Sequence, residues 1–173
     1  MTPADALKAA GLLLLAALLQ VSWATPIEVG NGHPNLVLVA LVALALLRGP
    51  LFGAIAGFWA GLALDVASLG TLGLTSLLLT PAGYWAGRFG EGTTRSSPYP
   101  PLVAVALGTI WFVLGSAIVH FMLGEGASAT TVLGGVLLPT LALNLLIAYP
   151  AYRLLRWVFP VTGRERREVP ALV

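Results

Sequence analysis

Six apolar runs, separated by short polar punctuation, occupy most of this chain. They cover residues 7–23, 35–47, 51–67, 72–87, 102–123 and 131–159. Runs near twenty residues match the hydrocarbon thickness of a bilayer and read as membrane-spanning helices. The breaks between them carry turn chemistry: Thr25-Pro26, Gly32-His33-Pro34, Arg48-Gly49-Pro50, the polar stretch from Glu91 to Pro101, and Gly124-Glu125-Gly126. The pattern predicts an all-α integral membrane protein, with a six-helix transmembrane domain over residues 1–159 and a short basic tail over 160–173. The second run is the weak one. Its thirteen residues make only ~20 Å of helix, against a core of ~30 Å. It either borrows length from the preceding loop, thins the bilayer locally or is re-entrant. Re-entry would scatter the basic residues over both sides, so it is kept as a span.

Charge orients the bundle. With the N-terminus inside, all nine Lys and Arg residues fall on the cytoplasmic side: Lys8, Arg48, Arg88, Arg95, Arg153, Arg156, Arg164, Arg166 and Arg167. The opposite side carries Glu28, Glu125 and, at a helix end, Asp65. Over loops this short the positive-inside rule places both termini in the cytoplasm. It also accounts for the net charge of +2 without nucleic acid as a partner. Hydrophobic residues are 58% and charged residues 9% of the chain, too few charges for a water-soluble surface. The absence of cysteine excludes disulfides, thiolate metal sites and thiol catalysis. Lys8, the leucine-rich stretch and Ser22-Trp23-Ala24 resemble a signal peptide, but the apolar stretch is long for that role and reads as a retained first helix.

The third run contains GAIAGFWAG, with Gly53, Gly57 and Gly61 at four-residue intervals and Asp65 next on the same row. Four-residue spacing stacks them on one helix face. A small-residue face lets helices approach closely in a bilayer, either inside this bundle or against another protein's helix. Gly53, Gly57 and Gly61 are the first candidates for partner-helix docking, and Gly83 with Gly87 the second. Asp65 is the one carboxylate inside an apolar run, and an intramembrane ionisable group is a functional candidate. It either hydrogen-bonds the following loop or caps the fourth helix, or it forms with His120 a polar site at the outer face. Asn144, flanked by Pro139 and Pro150, is expected to hydrogen-bond across helices in a kinked last helix.

Ser116 and His120 are one turn apart and able to touch. A serine–base pair needs an orienting group and an oxyanion hole, and nothing in the sequence supplies them. No metal-ligand spacing, phosphate loop or paired carboxylates occur, so neither catalysis nor a cofactor is expected. Arg153, Arg156, Arg164, Arg166 and Arg167 form a basic cytoplasmic segment that anionic lipid headgroups attract. Trp23, Trp85 and Trp157 fall at helix ends, as interfacial belts require.

His33-Pro34-Asn35, Arg48-Gly49-Pro50 and GAIAGFWAGLALDVASLGTLGL, followed by the span through Tyr84, resemble the MreD family of rod-shape-determining membrane proteins. Asn35 stands where relatives often have an acidic residue. The resemblance implies a non-enzymatic scaffold of the bacterial elongation machinery in the inner membrane. It would bind MreC, which has one membrane helix, and help couple MreB filaments to peptidoglycan synthesis by RodA and a penicillin-binding transpeptidase. It leaves a homodimer open. The fold it implies is similar to the substrate-binding subunits of energy-coupling-factor transporters, which makes a vitamin-transport subunit the alternative function. That alternative calls for an outer pocket built from Asp65, His120, Glu125, Asn31 and His33. Under the scaffold reading, Gly57→Leu should abolish partner co-purification while the protein still inserts.

Overall fold

The computed structural model describes residues 3–24, 31–69, 71–93, 99–124 and 130–159. Among them the chain forms six α-helices: α1 (Pro3–Leu19), α2 (Leu36–Arg48), α3 (Pro50–Ser68), α4 (Leu74–Glu91), α5 (Tyr99–Met122) and α6 (Leu138–Val158). Two π-helical segments, Gln20–Ala24 and Thr131–Leu137, continue α1 and lead into α6. No strand occurs among the described residues. Among the described residues four stretches are long and apolar enough to cross a membrane: Asp5–Ser22, Pro50–Ser68, Tyr99–Met122 and Thr131–Val158. The expected runs are recovered with shifted ends. α1 starts earlier and takes in Asp5, α4 runs on to Glu91, and α5 begins with Pro100 and Pro101 in its first turn, where a missing N–H costs nothing. α6 continues through Pro150.

The short second helix turns out to be the centre of the bundle. Every residue from Val37 to Leu47 is buried, and α2 touches each of the other five helices. Its sequence, LVLVALVALALLR, has no polar face before Arg48, as an enclosed helix requires. Its length is supplemented by residues 31–35, which precede it without helical structure. Extended chain advances up to ~3.3 Å per residue, so this lead-in adds up to ~16 Å to a helix of ~20 Å. Non-helical backbone at such depth is tolerated only inside protein. Here the Asn31 N–H donates to the Gly135 carbonyl at 3.1 Å and the Asn35 N–H to Asn144 Oδ1 at 2.7 Å.

Apolar contact does not distinguish a helix from lipid, so polar contacts fix α2 at both ends. At its start Gln20 Oε1 accepts the Val37 N–H at 2.9 Å, and Asn35 Oδ1 caps the Leu38 N–H at 2.9 Å. At its end Arg48 pairs with Asp5 of α1 at 3.3 Å and lies 5.2 Å from the centroid of the Phe159 ring, just past α6. The start of α1 and the ends of α2 and α6 therefore meet at one end of the bundle. The end of α4 joins them, since Gly87 lies on Gly49 and Pro50, and Gly90 on Leu46. Large apolar side chains such as Leu14, Ile55, Trp59, Leu77, Leu107 and Leu146 cover the outside, as a lipid-facing surface does.

Candidate functional site

The glycine row makes a backbone-to-backbone contact between α3 and α4. Gly53, Gly57 and Gly61 of α3 lie against Gly83, Leu79 and Ser76 of α4 backbone to backbone. A Cβ on Gly61 would fall 2.5 Å from Ser76 Cα, and one on Gly53 would overlap the Gly83 carbonyl. The Ser76 hydroxyl adds a crossing bond to the Phe58 carbonyl at 3.0 Å. Of the two readings of this row, packing inside the bundle is the one observed; the docking of a partner helix on Gly53, Gly57 and Gly61, or on Gly83 and Gly87, is corrected, since Gly83 lies on Gly53 and Gly87 on Gly49 and Pro50. The face is occupied by the chain's own α4, whose backbone at Ser76, Leu79 and Gly83 comes into the space that side chains on the three glycines would fill.

Asp65 is buried (3% exposed) at the far end of the same interface. Its Oδ2 accepts the Gly73 N–H at 2.8 Å and its Oδ1 the Thr75 N–H at 3.2 Å. A carboxylate on two amides at the start of α4 both caps that helix and meets the positive end of its dipole. Leu69, in the left-handed conformation at φ 54, closes α3 with its N–H on the carbonyls of Asp65 and Val66. Gly73, at φ 90, opens α4, in a conformation that favours glycine.

His120 belongs elsewhere. It lines a cavity of about 480 Å³ together with His33, Gln20, Asn35, Ser116 and Thr140, and Asp65 is not among the lining residues. The expected outer-face pair of Asp65 and His120 is thus two separate features: a helix cap, and a wall of a cavity. Of the residues expected in an outer pocket, His33 and His120 meet there, while Glu125 lies outside the described residues. Asn144 sits beneath with no exposure. Its side chain accepts from Asn35 and donates to Thr109 Oγ1 at 2.9 Å, tying α2, α5 and α6 together as expected. The cavity's other polar residues, Gln20 and Thr140, were not singled out in the sequence. A lone polar residue in an apolar run carries no sign of which way it faces.

Among the described residues, two further concavities are apolar grooves on the outside. One, of about 560 Å³, runs between α1 and α3 over Ala6, Ala10, Ala56, Ala60 and Ala63 and is flanked by Phe52 and Trp59. The other, of about 1090 Å³, lies between α4 and α5 and is flanked by Leu77, Trp85, Phe89 and Trp111. The Trp85 and Trp111 rings meet edge to face at 4.9 Å, and Trp111 donates to the Leu78 carbonyl at 3.0 Å.

At the opposite end, Arg153, Arg156 and Trp157 are exposed on the last turns of α6. Arg88 pairs with Glu91 at 2.7 Å, a hydrogen bond that raises the guanidinium's pKa above its ordinary value. Arg164, Arg166 and Arg167 lie outside the described residues.

A sequence model of the family described as rod shape-determining protein MreD matches residues 7–159. No curated protein and no solved structure matches the chain.

Proposed function

Because this chain belongs to the MreD family of rod shape-determining membrane proteins, we propose that it is a non-enzymatic scaffold of the cell-elongation machinery. In this reading it holds the membrane helix of MreC, and through MreC it links MreB filaments inside the cell to peptidoglycan synthesis outside. RodA and a penicillin-binding transpeptidase complete the assembly. The observation that carries the reading is the family match across all six helices. The charge pattern supports an inner-membrane orientation with both termini cytoplasmic: Lys8, Arg48, Arg88, Arg153 and Arg156 lie toward one end of the bundle. The exposed Arg153 and Arg156 suit anionic headgroups there.

With the glycine row filled, the docking surface we assign to MreC is the α1–α3 groove. Its floor of alanines admits a helix backbone at close range, which is how helices associate in lipid. The α4–α5 groove, which carries Ala82, Ala86, Ala104, Gly108 and Gly115 beside its aromatic rings, is the rival surface. Photocrosslinking residues at Ala10 and at Leu107, in native membranes, test this. Adducts with MreC from Ala10 and none from Leu107 are expected. The reverse pattern moves the partner to the α4–α5 groove, and no MreC adduct from either position sinks the scaffold reading. Ala10→Leu, on an exposed helix face, should leave the protein abundant while cells round up.

The alternative, a transport subunit for a vitamin-sized solute, draws support from the polar cavity and loses the role of Asp65. Crosslinked recovery of an ATPase with a membrane coupling subunit, in place of MreC, would favour it.

A further inference from the structure

We propose that the cavity between α5, the lead-in to α2 and the start of α6 is a binding site for a drug-sized amphipathic molecule. The inference goes beyond the scaffold role and does not depend on it. At about 480 Å³ the cavity falls within the range of small-molecule pockets. Four separate segments deliver polar side chains to it: Gln20 after α1, His33 and Asn35 before α2, Ser116 and His120 on α5, and Thr140 on α6. Convergence of polar groups in an otherwise apolar concavity marks a specific site. The two outer grooves, lined almost wholly by apolar side chains, lack it.

The lining also selects the ligand's character. The lining residues are neutral in kind, amides, hydroxyls and imidazoles among apolar side chains. Phe112, Val113, Val132 and Val136 supply walls for an apolar body, and the imidazoles, amides and hydroxyls bind its polar edge. Both π-helical segments border the site, through Gln20 in one and Val132 and Val136 in the other. Such wide turns concentrate at functional sites. Part of the floor is preorganised, since Asn35 is already held by Leu38 and Asn144, which lowers the ordering cost of binding.

The test uses the full chain in lipid nanodiscs, incubated with the small-molecule extract of its host cells and passed through a desalting column. Mass spectrometry then identifies the retained compounds. Ala117→Phe, which fills the cavity from its α5 wall, is run alongside. An amphipathic compound other than phospholipid, retained by the wild type and reduced about tenfold or more in Ala117→Phe, is the expected result. Equal retention by both proteins, or retention of phospholipid alone, overturns the proposal. Should Ala117→Phe fail to accumulate, the double variant Ser116→Val, His120→Phe provides the same comparison through lost polar contacts. MreC crosslinking from Ala10 reports on the scaffold reading independently of either result.

Discussion

Gly53 of α3 and Gly83 of α4 face each other with no side chain between them, each occupying the space that a Cβ on the other would need. This pair sets the distance between the two helices, and Gly57 and Gly61 extend it along the row. Gly53→Ala or Gly57→Ala should therefore destabilise the protein by roughly 1–3 kcal/mol, the cost of overpacking a close contact. Gly57→Leu should prevent accumulation altogether, so lost co-purification of a partner would reflect lost fold. Gly11, with nothing within 4 Å of an added Cβ, is the contrast. Gly11→Ala should stabilise α1 by about 0.5–1 kcal/mol. Thermal unfolding followed by size-exclusion fluorescence separates the two; equal effects at Gly53 and Gly11 would contradict the packing.

Asp65→Ala should cost more than Asp65→Asn. The alanine leaves the Gly73 and Thr75 amides without their acceptor, at ~1–3 kcal/mol for a buried donor. Asparagine keeps one carbonyl oxygen for one of them and loses the favourable charge at the helix start. The same unfolding assay gives the order. A loss of ligand binding with unchanged stability in either variant would show that Asp65 is not chiefly a cap.

Asn144→Leu removes the group that joins the lead-in of α2 to Thr109. Polar contacts between membrane helices average ~0.6 kcal/mol and reach ~1.7, and Asn144 makes two. The expected loss is at the upper end of that range. A double-mutant cycle with Thr109→Val should show coupling, and additive losses would deny the bond.

Leu69→Gly should stabilise the protein. A leucine held left-handed costs about 1–2 kcal/mol, and its side chain is 93% exposed, so little packing is lost. Offset by glycine's greater chain entropy, a net gain of up to about 1 kcal/mol should appear as a higher unfolding temperature.

Arg48 and Asp5 tie α1 to the central helix with both side chains partly exposed. Exposed pairs of this kind contribute ~0.2–1 kcal/mol, so Asp5→Asn should weaken the protein only slightly and less so in high salt. A large loss would mean that α1 depends on this contact more than on its packing through Ala9, Leu13 and Ala17.

Helix number, helix position and the shared end of Lys8, Arg48, Arg88, Arg153 and Arg156 were legible in the residues alone. Each is set by local quantities: the length of an apolar run, the turn residues that break it, and the charges beside it. The family was legible too, because its motif is a contiguous stretch from His33 to Tyr84. What α3's glycines face was not, since a small-residue row is equally suited to an internal helix and a foreign one until the distance to α4 is known. α2 looked merely short, and only its enclosure by five neighbours explains a run without a polar side. Asp65 and His120 fell near the same end and invited pairing. Their separation into a helix cap and a cavity wall follows from helix rotation, a tertiary quantity that apolar sequence leaves open because lipid and protein interiors accept the same side chains.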